Sequence, residues 1–173
     1  MVFIKEKDEK LSYLAYYDIL TKLPNRHMFI EKINETILNA SNSPFTVLLV
    51  DIDNFKQIND AYGNQSGDVM LVTYAEKLKL FCQDSIFLGR IGGDEFCAYA
   101  ITDMENAEQL LRDRLKELTE ELNRHSGKPY YISMSLGVKQ FECSSLVDIS
   151  HELEQADERL YVDKQKKRGS IYK

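Results

Sequence analysis

The chain has 173 residues, a length that suits a single domain, and its composition is that of an ordinary soluble globular protein. Its formal net charge of −6 argues against broad affinity for nucleic acid, because binding a phosphate backbone requires a positive surface. The longest apolar run is too short to cross a bilayer and the charges of residues 5–10 exclude a signal-peptide core, so we expect a cytoplasmic polypeptide without membrane contact.

Hydrophobic periodicity and turn residues predict alternating helices and strands along the chain. A leading helix at 3–17 carries an apolar stripe too short to establish a coiled coil, so it either continues a stalk or packs on its own domain. The further predicted elements are helices at 26–39, 55–60, 68–81, 105–124 and 146–166, strands at 45–50, 86–91, 96–101 and 130–141, and a short terminal strand at 171–172. The order β-α-β-β-α-β predicts an α+β fold whose antiparallel or mixed sheet carries helices on its faces.

The cysteines and histidines indicate neither disulfides nor a zinc site. Cys82, Cys97 and Cys143 are odd in number and widely spaced, which is typical of reduced thiols packed in the interior. The three histidines are scattered and lack the spacing of zinc ligands.

Two adjacent acids, Asp94 and Glu95, follow Gly92 and Gly93 between two strand-like segments. Gly-Gly is among the few dipeptides that reach the positive φ angles of a two-residue hairpin turn at little cost, so we expect a tight hairpin here. Successive side chains on a strand point to opposite faces, so the two acids cannot share one ion pair. The alternative is a hairpin tip whose acids are merely solvated.

A second acidic segment follows the first buried strand, where Asp51 and Asp53 reach the end of the sheet. A neighbouring hairpin can bring Asp94 and Glu95 to the same place, and converging carboxylates require a cation. Oxygen ligands without nearby His or Cys favour Mg²⁺ or Mn²⁺, with substrate phosphates and water completing the coordination. The expected substrate is a nucleoside triphosphate, whose phosphates suit the N–H groups that begin helix 55–60. Capping of that helix is the alternative role of the first two acids.

A compact cationic cluster stands near the C-terminus of this otherwise acidic chain, which indicates a site for a few phosphates rather than for a polymer. The alternative role of these cations is to complement the C-terminal dipole of the last helix. The cluster consists of Lys164, Lys166, Lys167 and Arg168.

Four motifs occur in the order and spacing of one known family, and together they span nearly the whole chain from Leu11 onward. They are the segments 18–26 (DILTKLPNR), 51–68, 92–96 (GGDEF), and 156–161 with 164–168. In these segments the chain resembles the GGDEF domains of diguanylate cyclases.

The resemblance implies a palm-like α+β domain with a central, mostly antiparallel five-stranded sheet flanked by helices. It implies a bacterial signalling enzyme that condenses two GTP molecules into cyclic di-GMP and releases pyrophosphate. Each domain would hold one GTP with two Mg²⁺ (or Mn²⁺) ions. A homodimer would bring two such domains face to face, so that each 3′-hydroxyl attacks the α-phosphate of the opposite GTP.

The resemblance also implies roles for the acids. The metal ligands correspond to Asp51, the backbone carbonyl of Ile52, and Asp94, while Glu95 corresponds to the second catalytic acid of the signature. The metals would polarise the α-phosphate and lower the pKa of the attacking hydroxyl. Whether Asp94 or Glu95 accepts the proton stays open.

Guanine recognition corresponds, by the same resemblance, to Asn59 and Asp68. A carboxylate accepts two hydrogen bonds from guanine but would face acceptors on adenine, which favours GTP over ATP. The alternative role of Asp68 is to cap a helix that begins after Gly67, which we place with Gly63 in a loop, and both roles can coexist.

The phosphate contacts implied by the resemblance come from backbone amides and from three cationic side chains. Lys166 and Lys167 do not match family positions, and we expect them to be solvated. The matching residues are Asn54 and Phe55 through their amides, and Lys56, Lys164 and Arg168 through their side chains.

The chain departs from the family pattern at positions that carry no metal or guanine contact. The family's product-inhibition site, Arg-x-x-Asp, falls on residues 83–86, which read Gln-Asp-Ser-Ile and lack both charged anchors. We therefore expect a competent active site without feedback inhibition at that surface. The other departures are Asn64 (often His), Lys22 and Lys167 (often Gly), and Arg159 and Asp163 (often Ala).

We divide the chain into a linker or stalk helix at 1–17 and a GGDEF domain at 18–173. A sensory domain in a longer protein would attach at that helix, and in a membrane-anchored protein the GGDEF domain would lie on the cytoplasmic side. The competing hypothesis is a catalytically silent GTP-binding module that signals through protein interaction. A polymerase-like role is disfavoured by the acidic surface.

Overall fold

A computed structural model describes the chain at residues 13–40, 42–82, 86–102, 107–125, 127, 130–144 and 146–170. The predicted leading helix is described only at 13–16, which is helical (α1) and ends before Tyr17 pairs with Pro24 in a β-bridge. The rest of that helix, the terminal strand predicted at 171–172 and the Gln-Asp-Ser of the inhibitory position lie outside the described residues.

The described elements follow the predicted order, and most of them have shifted ends, whereas α2 has the predicted bounds. The helices are α2 (Arg26–Asn39), α3 (Phe55–Tyr62), α4 (Asn64–Cys82), α5 (Ala107–His125) and α6 (Ile149–Ser170). The strands are β1 (Pro44–Ile52), β2 (Phe87–Arg90), β3 (Glu95–Ile101) and β4 (Met134–Glu142).

The strands form one sheet in the order β2-β3-β1-β4, and every neighbouring pair is antiparallel. The predicted α+β class with an antiparallel sheet is therefore confirmed. The sheet has four strands in the described residues instead of the predicted five, because the segment expected to supply the fifth lies beyond them. In the central strand, Asp51 is the cross-strand partner of both Glu95 in β3 and Ser135 in β4.

Side-chain alternation along β1 divides the core into two layers. Leu48 and Val50 pack with α4 and α5 on one face, whereas Val47 and Leu49 pack with α2 and α6 on the other. Asp51 continues the second set, so its carboxylate lies on the face covered by α6.

Gly137 in β4 allows α6 to lie directly against the sheet. A Cβ at this position would lie 2.6 Å from the backbone nitrogen of Leu160 and would overlap the carbonyl oxygen of Ala156. The close approach places the last turns of α6 beside the end of β1.

The helix predicted at 68–81 begins four residues earlier, at Asn64, so the loop expected around Gly67 is wrong. Gly67 is buried inside α4, where a Cβ would overlap Oδ1 of Asn59 and lie 3.0 Å from Cζ of Phe55. The missing side chain therefore lets α3 and α4 pack together. Asp68 lies in the second turn of α4 and does not cap it.

The cysteines behave as predicted: Cys82, Cys97 and Cys143 are free and buried. Burial raises the pKa of all three thiols. Within the described ranges no helix has both the length and the apolar character needed to cross a membrane.

Candidate active site

The GGDEF segment forms a loop at 91–94 that joins β2 to β3, with the backbone N–H of Ile91 donating to the carbonyl of Glu95 at 3.0 Å. Neither Gly92 nor Gly93 has a positive φ, so the predicted turn that depends on positive φ is wrong. A Cβ at Gly92 would lie 2.6 Å from Oε2 of Glu95, so a larger residue there would displace the carboxylate of Glu95. At Gly93 nothing lies within 4 Å of such an atom.

Arg90, at the end of β2, binds the backbone of this loop. Its guanidinium donates to the carbonyls of Gly92 at 3.1 Å and Gly93 at 2.6 Å, and to Oδ1 of Asp18 at 2.8 Å. Burial raises the pKa of Asp18, but hydrogen bonds from Thr21 and Arg90 outweigh burial and leave the pKa below its ordinary value. This role of Arg90 was not predicted from the sequence, although the residue lies only two positions before Gly92.

Asp51 is the most buried acid of the site, with 4% of its surface exposed. Its pKa is raised to about 6 in total: burial is the largest cause, the nearby charges of Asp94 and Glu95 add to it, and the hydrogen bond and charge of Lys164 oppose it. The backbone N–H of Ile52 donates to the carbonyl of Asp94 at 3.2 Å, which ties the loop to the end of β1.

Lys164 forms an ion pair with Asp51, with Nζ 2.6 Å from Oδ2. Sequence analysis assigned Lys164 to phosphate and Asp51 to metal. The lysine supplies a positive charge beside the buried carboxylate.

Asp53 is bound to β4 and does not cap α3. Its two carboxylate oxygens accept hydrogen bonds from the hydroxyls of Ser133 and Ser135, each at 2.6 Å. The N-cap of α3 is Asn54, which has a φ of 60° and makes no side-chain capping bond. The capping role considered for Asp53 is therefore wrong, and sequence reasoning missed both serines.

Lys167 was expected to be solvated, and this prediction is wrong. Its Nζ donates to the carbonyl of Met134 and lies 3.4 Å from Oδ2 of Asp53 and 3.6 Å from Oδ2 of Asp163. Lys166, one residue earlier, is exposed.

A cavity of about 320 Å³ collects most of the predicted metal and phosphate residues. From the predicted set it is lined by Asp51, Ile52, Asn54, Phe55, Lys56, Asp94 and Lys164, and further by Asp53, Gln57, Ser133 and Lys167. Glu95 instead lines a separate cavity of about 570 Å³, together with Arg26, Asp157 and Leu160. The structure thus divides the two signature acids between adjacent cavities.

The predicted guanine residues lie on the packed helices α3 and α4. Oδ1 of Asn59 is buried beside Gly67 and has no hydrogen-bond partner among the described groups, while Asp68 is exposed. Neither residue lines the 320 Å³ cavity that contains Asp51 and Asp94. The side chain of Arg168, the last predicted phosphate contact, lies outside the described part of the structure.

The donor set suits a cation that arrives with a triphosphate. Among the described residues, no group of three or more His, Cys, Asp and Glu side chains forms a ready-made metal site. Mg²⁺ is commonly held by one or two carboxylates and takes its other ligands from substrate phosphates and water. Asp51 and Asp94 line one cavity, and the charge of Asp94 raises the pKa of Asp51, so a divalent cation there would relieve their repulsion.

A comparison with known families matches nearly the whole chain. The family described as "Diguanylate cyclase, GGDEF domain" matches residues 15–170. Diguanylate cyclase DgcP of Escherichia coli is 32% identical over 173 residues, which cover 98% of this chain and 50% of that protein. Diguanylate cyclase A of Treponema denticola is 29% identical over 95% of this chain and 46% of its own length. The chain thus spans about half the length of these curated relatives.

Solved structures share the fold. The coiled coil and GGDEF domain of DgcB from Caulobacter crescentus superposes with a TM-score of 0.79 at 24% identity, over 94% of this chain and 87% of that one. Diguanylate cyclase SiaD from Pseudomonas aeruginosa, solved with its activator SiaC, gives 0.78 at 27% identity, over 95% and 64%. On its sequence match and its architecture, the chain belongs to the GGDEF domain family.

Proposed function

We propose that this domain is a diguanylate cyclase, which condenses two GTP molecules into cyclic di-GMP and releases pyrophosphate. The observation that carries the proposal is the shared cavity in which the carboxylates of Asp51 and Asp94 meet the cations Lys56 and Lys164. The names of its relatives, diguanylate cyclases of Escherichia coli and Treponema denticola, support the same activity.

The substrate contacts in this proposal are divided between two regions. Asp51, Asp94 and the carbonyl of Ile52 hold two Mg²⁺ (or Mn²⁺) ions per GTP. Lys56, Lys164, Arg168 and the amides of Asn54 and Phe55 hold the triphosphate. Asn59 and Asp68 bind guanine, and the packing of Asn59 on Gly67 supports a fixed position for its amide.

The reaction forms a bond between the 3′-oxygen of one GTP and the α-phosphorus of the other, and breaks the α–β phosphoanhydride bond. Bound divalent cations supply charge stabilisation at the phosphates. The proton of the 3′-hydroxyl passes to Asp94 or Glu95. Lys164, which pairs with Asp51 at 2.6 Å, would contribute its positive charge to the phosphates of a bound nucleotide.

The described residues of one domain provide one cavity lined by Asp51, Asp94 and Lys164, which would hold one GTP. Because the reaction joins two GTP molecules, the proposed catalyst is a homodimer of domains. The two bound GTP molecules face each other across the dimer. Encounter of two domains then limits the rate at low concentration.

Three further properties belong to the proposal. The domain lacks feedback inhibition by cyclic di-GMP at residues 83–86, because Gln83 and Ile86 stand where the inhibitory motif has its arginine and its aspartate. It acts on the cytoplasmic side, with an input domain preceding residue 18 in the full-length protein. It does not bind nucleic acid, in keeping with a net charge of −6.

A catalytically silent GTP-binding module remains the second hypothesis. The observation that favours it is the placement of Glu95 in a different cavity from Asp94. Such a module would bind GTP without turnover even when two domains are held together.

The deciding experiment uses the 173-residue chain fused to a dimerising coiled coil and supplied with GTP and Mg²⁺. We expect cyclic di-GMP and pyrophosphate from the wild-type sequence and none from Asp94→Ala or Glu95→Ala. Asp60→Ala, at an exposed position of α3, is the matched control and keeps the wild-type rate. GTP binding without product in the forced dimer would establish the silent module instead.

A further inference from the structure

Three side chains of α6, spaced four residues apart, cover the outer edge of β4. Because β4 ends the strand order, its outward backbone groups have no neighbouring strand in the described residues. Arg159 donates to the carbonyl of Val138, Asp163 accepts from the N–H of Leu136, and Lys167 donates to the carbonyl of Met134.

Lys167 differs from Arg159 because it also lines the 320 Å³ cavity that contains Asp51 and Asp94. Its Nζ lies 3.4 Å from Oδ2 of Asp53, and both residues line the cavity that contains Asp51. Asp163 flanks the ammonium at 3.6 Å and is itself paired with Arg112 at 2.7 Å. The ammonium therefore lies between the edge strand β4 and the cavity that contains Asp51.

Asp53 directly precedes Asn54, the N-cap residue of α3. The backbone N–H of Asp53 donates to the carbonyl of Ser133 at 2.8 Å, and its carboxylate is bound by the hydroxyls of Ser133 and Ser135. The next residue, Asn54, turns the chain with a φ of 60° and leaves α3 without a side-chain cap. The direction of the first amides of α3 thus depends on how Asp53 is held.

We propose that Lys167 is a positioning residue of the nucleotide site. By holding Asp53 against β4, it fixes the turn whose amides, at Asn54 and Phe55, receive the phosphates. The identity of the ligand rests on the proposed function, whereas the effect of Lys167 on the turn does not.

The test compares Lys167→Met with Arg159→Met by calorimetric titration of a non-hydrolysable GTP analogue and of GMP. Both variants lose one bond to the β4 edge, but Lys167→Met alone also removes the ammonium beside Asp53, whose bonds to Ser133 and Ser135 remain. We expect Lys167→Met to bind the triphosphate roughly five- to tenfold more weakly, because a charge-assisted contact to the phosphate turn is lost. GMP affinity stays unchanged in both variants, and Lys167→Arg restores triphosphate binding.

A nucleotide-free measurement separates this proposal from the proposed function. The backbone amide resonances of Asn54 and Phe55 shift in Lys167→Met and stay in place in Arg159→Met. Unmoved resonances, or equal triphosphate affinity in the two variants, would show that Lys167 only caps the edge strand and would overturn the proposal. A wild-type domain that fails to bind GTP would contradict the proposed function, while the amide shifts still decide the role of Lys167.

Discussion

Arg90 and Asp18 form an ion pair of 2.8 Å that joins the GGDEF loop to the turn in front of α2. The pair is largely enclosed, with 11% of the Arg90 side chain and 24% of the Asp18 side chain exposed. Since Arg90 also binds two loop carbonyls, the segment that follows α1 and the segment that carries Asp94 are mechanically linked.

Arg90→Met should weaken both stability and turnover. The variant loses the ion pair and both carbonyl contacts, so we expect about 2 kcal/mol less unfolding free energy in urea titrations. Turnover falls further than GTP affinity, because the loop with Asp94 is less well held. The control is Lys139→Met, which breaks a similarly enclosed pair with Glu152 away from the site. Equal loss of turnover in both variants would contradict a specific link to the loop.

Asp51→Asn should stabilise the nucleotide-free domain while abolishing activity. The pKa of Asp51 is raised from 3.8 to about 6, so the folded state holds its proton longer than the unfolded state as pH rises. Its ionisation therefore costs stability that is absent below pH 3.8, grows up to pH 6 and is complete above it. We expect Asp51→Asn to gain roughly 2 kcal/mol at pH 7.5 and almost nothing near pH 4.

Urea titrations at the two pH values measure this difference, with Asp60→Asn as the exposed control. A stability gain that is the same at both pH values would rule out ionisation of Asp51 as its cause. A loss at pH 7.5 would mean that the ion pair with Lys164 outweighs the cost of burial.

Lys164→Met should reveal what its pair with Asp51 contributes. Without the ammonium, the pKa of Asp51 rises further, and the nucleotide-free domain loses about 1–2 kcal/mol at neutral pH because a buried carboxylate is left unpaired. A double-mutant cycle with Asp51→Asn isolates the coupling energy, which we expect to be favourable and above about 0.5 kcal/mol. Additive single effects would show that the 2.6 Å contact carries no net stabilisation.

Gly67→Ala should impair guanine recognition from a distance. The new Cβ would overlap Oδ1 of Asn59, so either this amide moves or α3 and α4 separate, at a cost of about 1–3 kcal/mol. We expect weaker GTP binding and reduced preference for GTP over ATP in competition titrations. Gln65→Ala, on the exposed first turn of α4, should change neither quantity. Unchanged GTP preference in Gly67→Ala would argue against a role for Asn59.

Local signals in the sequence predicted local structure well. Helix α2 has its predicted bounds because Asn25 caps it, accepting from the N–H of Met28 at 3.1 Å, and a Ser-Asn-Ser-Pro segment follows it. The start of α4 was misplaced because Gly67 was treated as a helix breaker, whereas packing on Asn59 requires a glycine inside the helix.

Long-range contacts account for what the sequence did not reveal. Lys167 pairs with Asp53 only because Gly137 lets α6 lie close to β4, and no local pattern encodes that approach. The partition of Asp94 and Glu95 between two cavities depends on a four-residue loop whose glycines do not use positive φ. Motif spacing predicted the residues that share the 320 Å³ cavity, such as Asp51, Asp94 and Lys164, whereas Glu95 lies in another cavity because of tertiary packing.

The central claim, that two copies of this domain condense two GTP molecules, is tested most directly by the rate of cyclic di-GMP formation as a function of protein concentration. With GTP and Mg²⁺ in excess and no fused dimerising segment, we expect the rate to rise with the square of the concentration while the domains are mostly monomeric. Asp94→Ala should give no product at any concentration. Product formation that is linear in concentration from a monomeric protein, or no product from a confirmed dimer, would contradict the account.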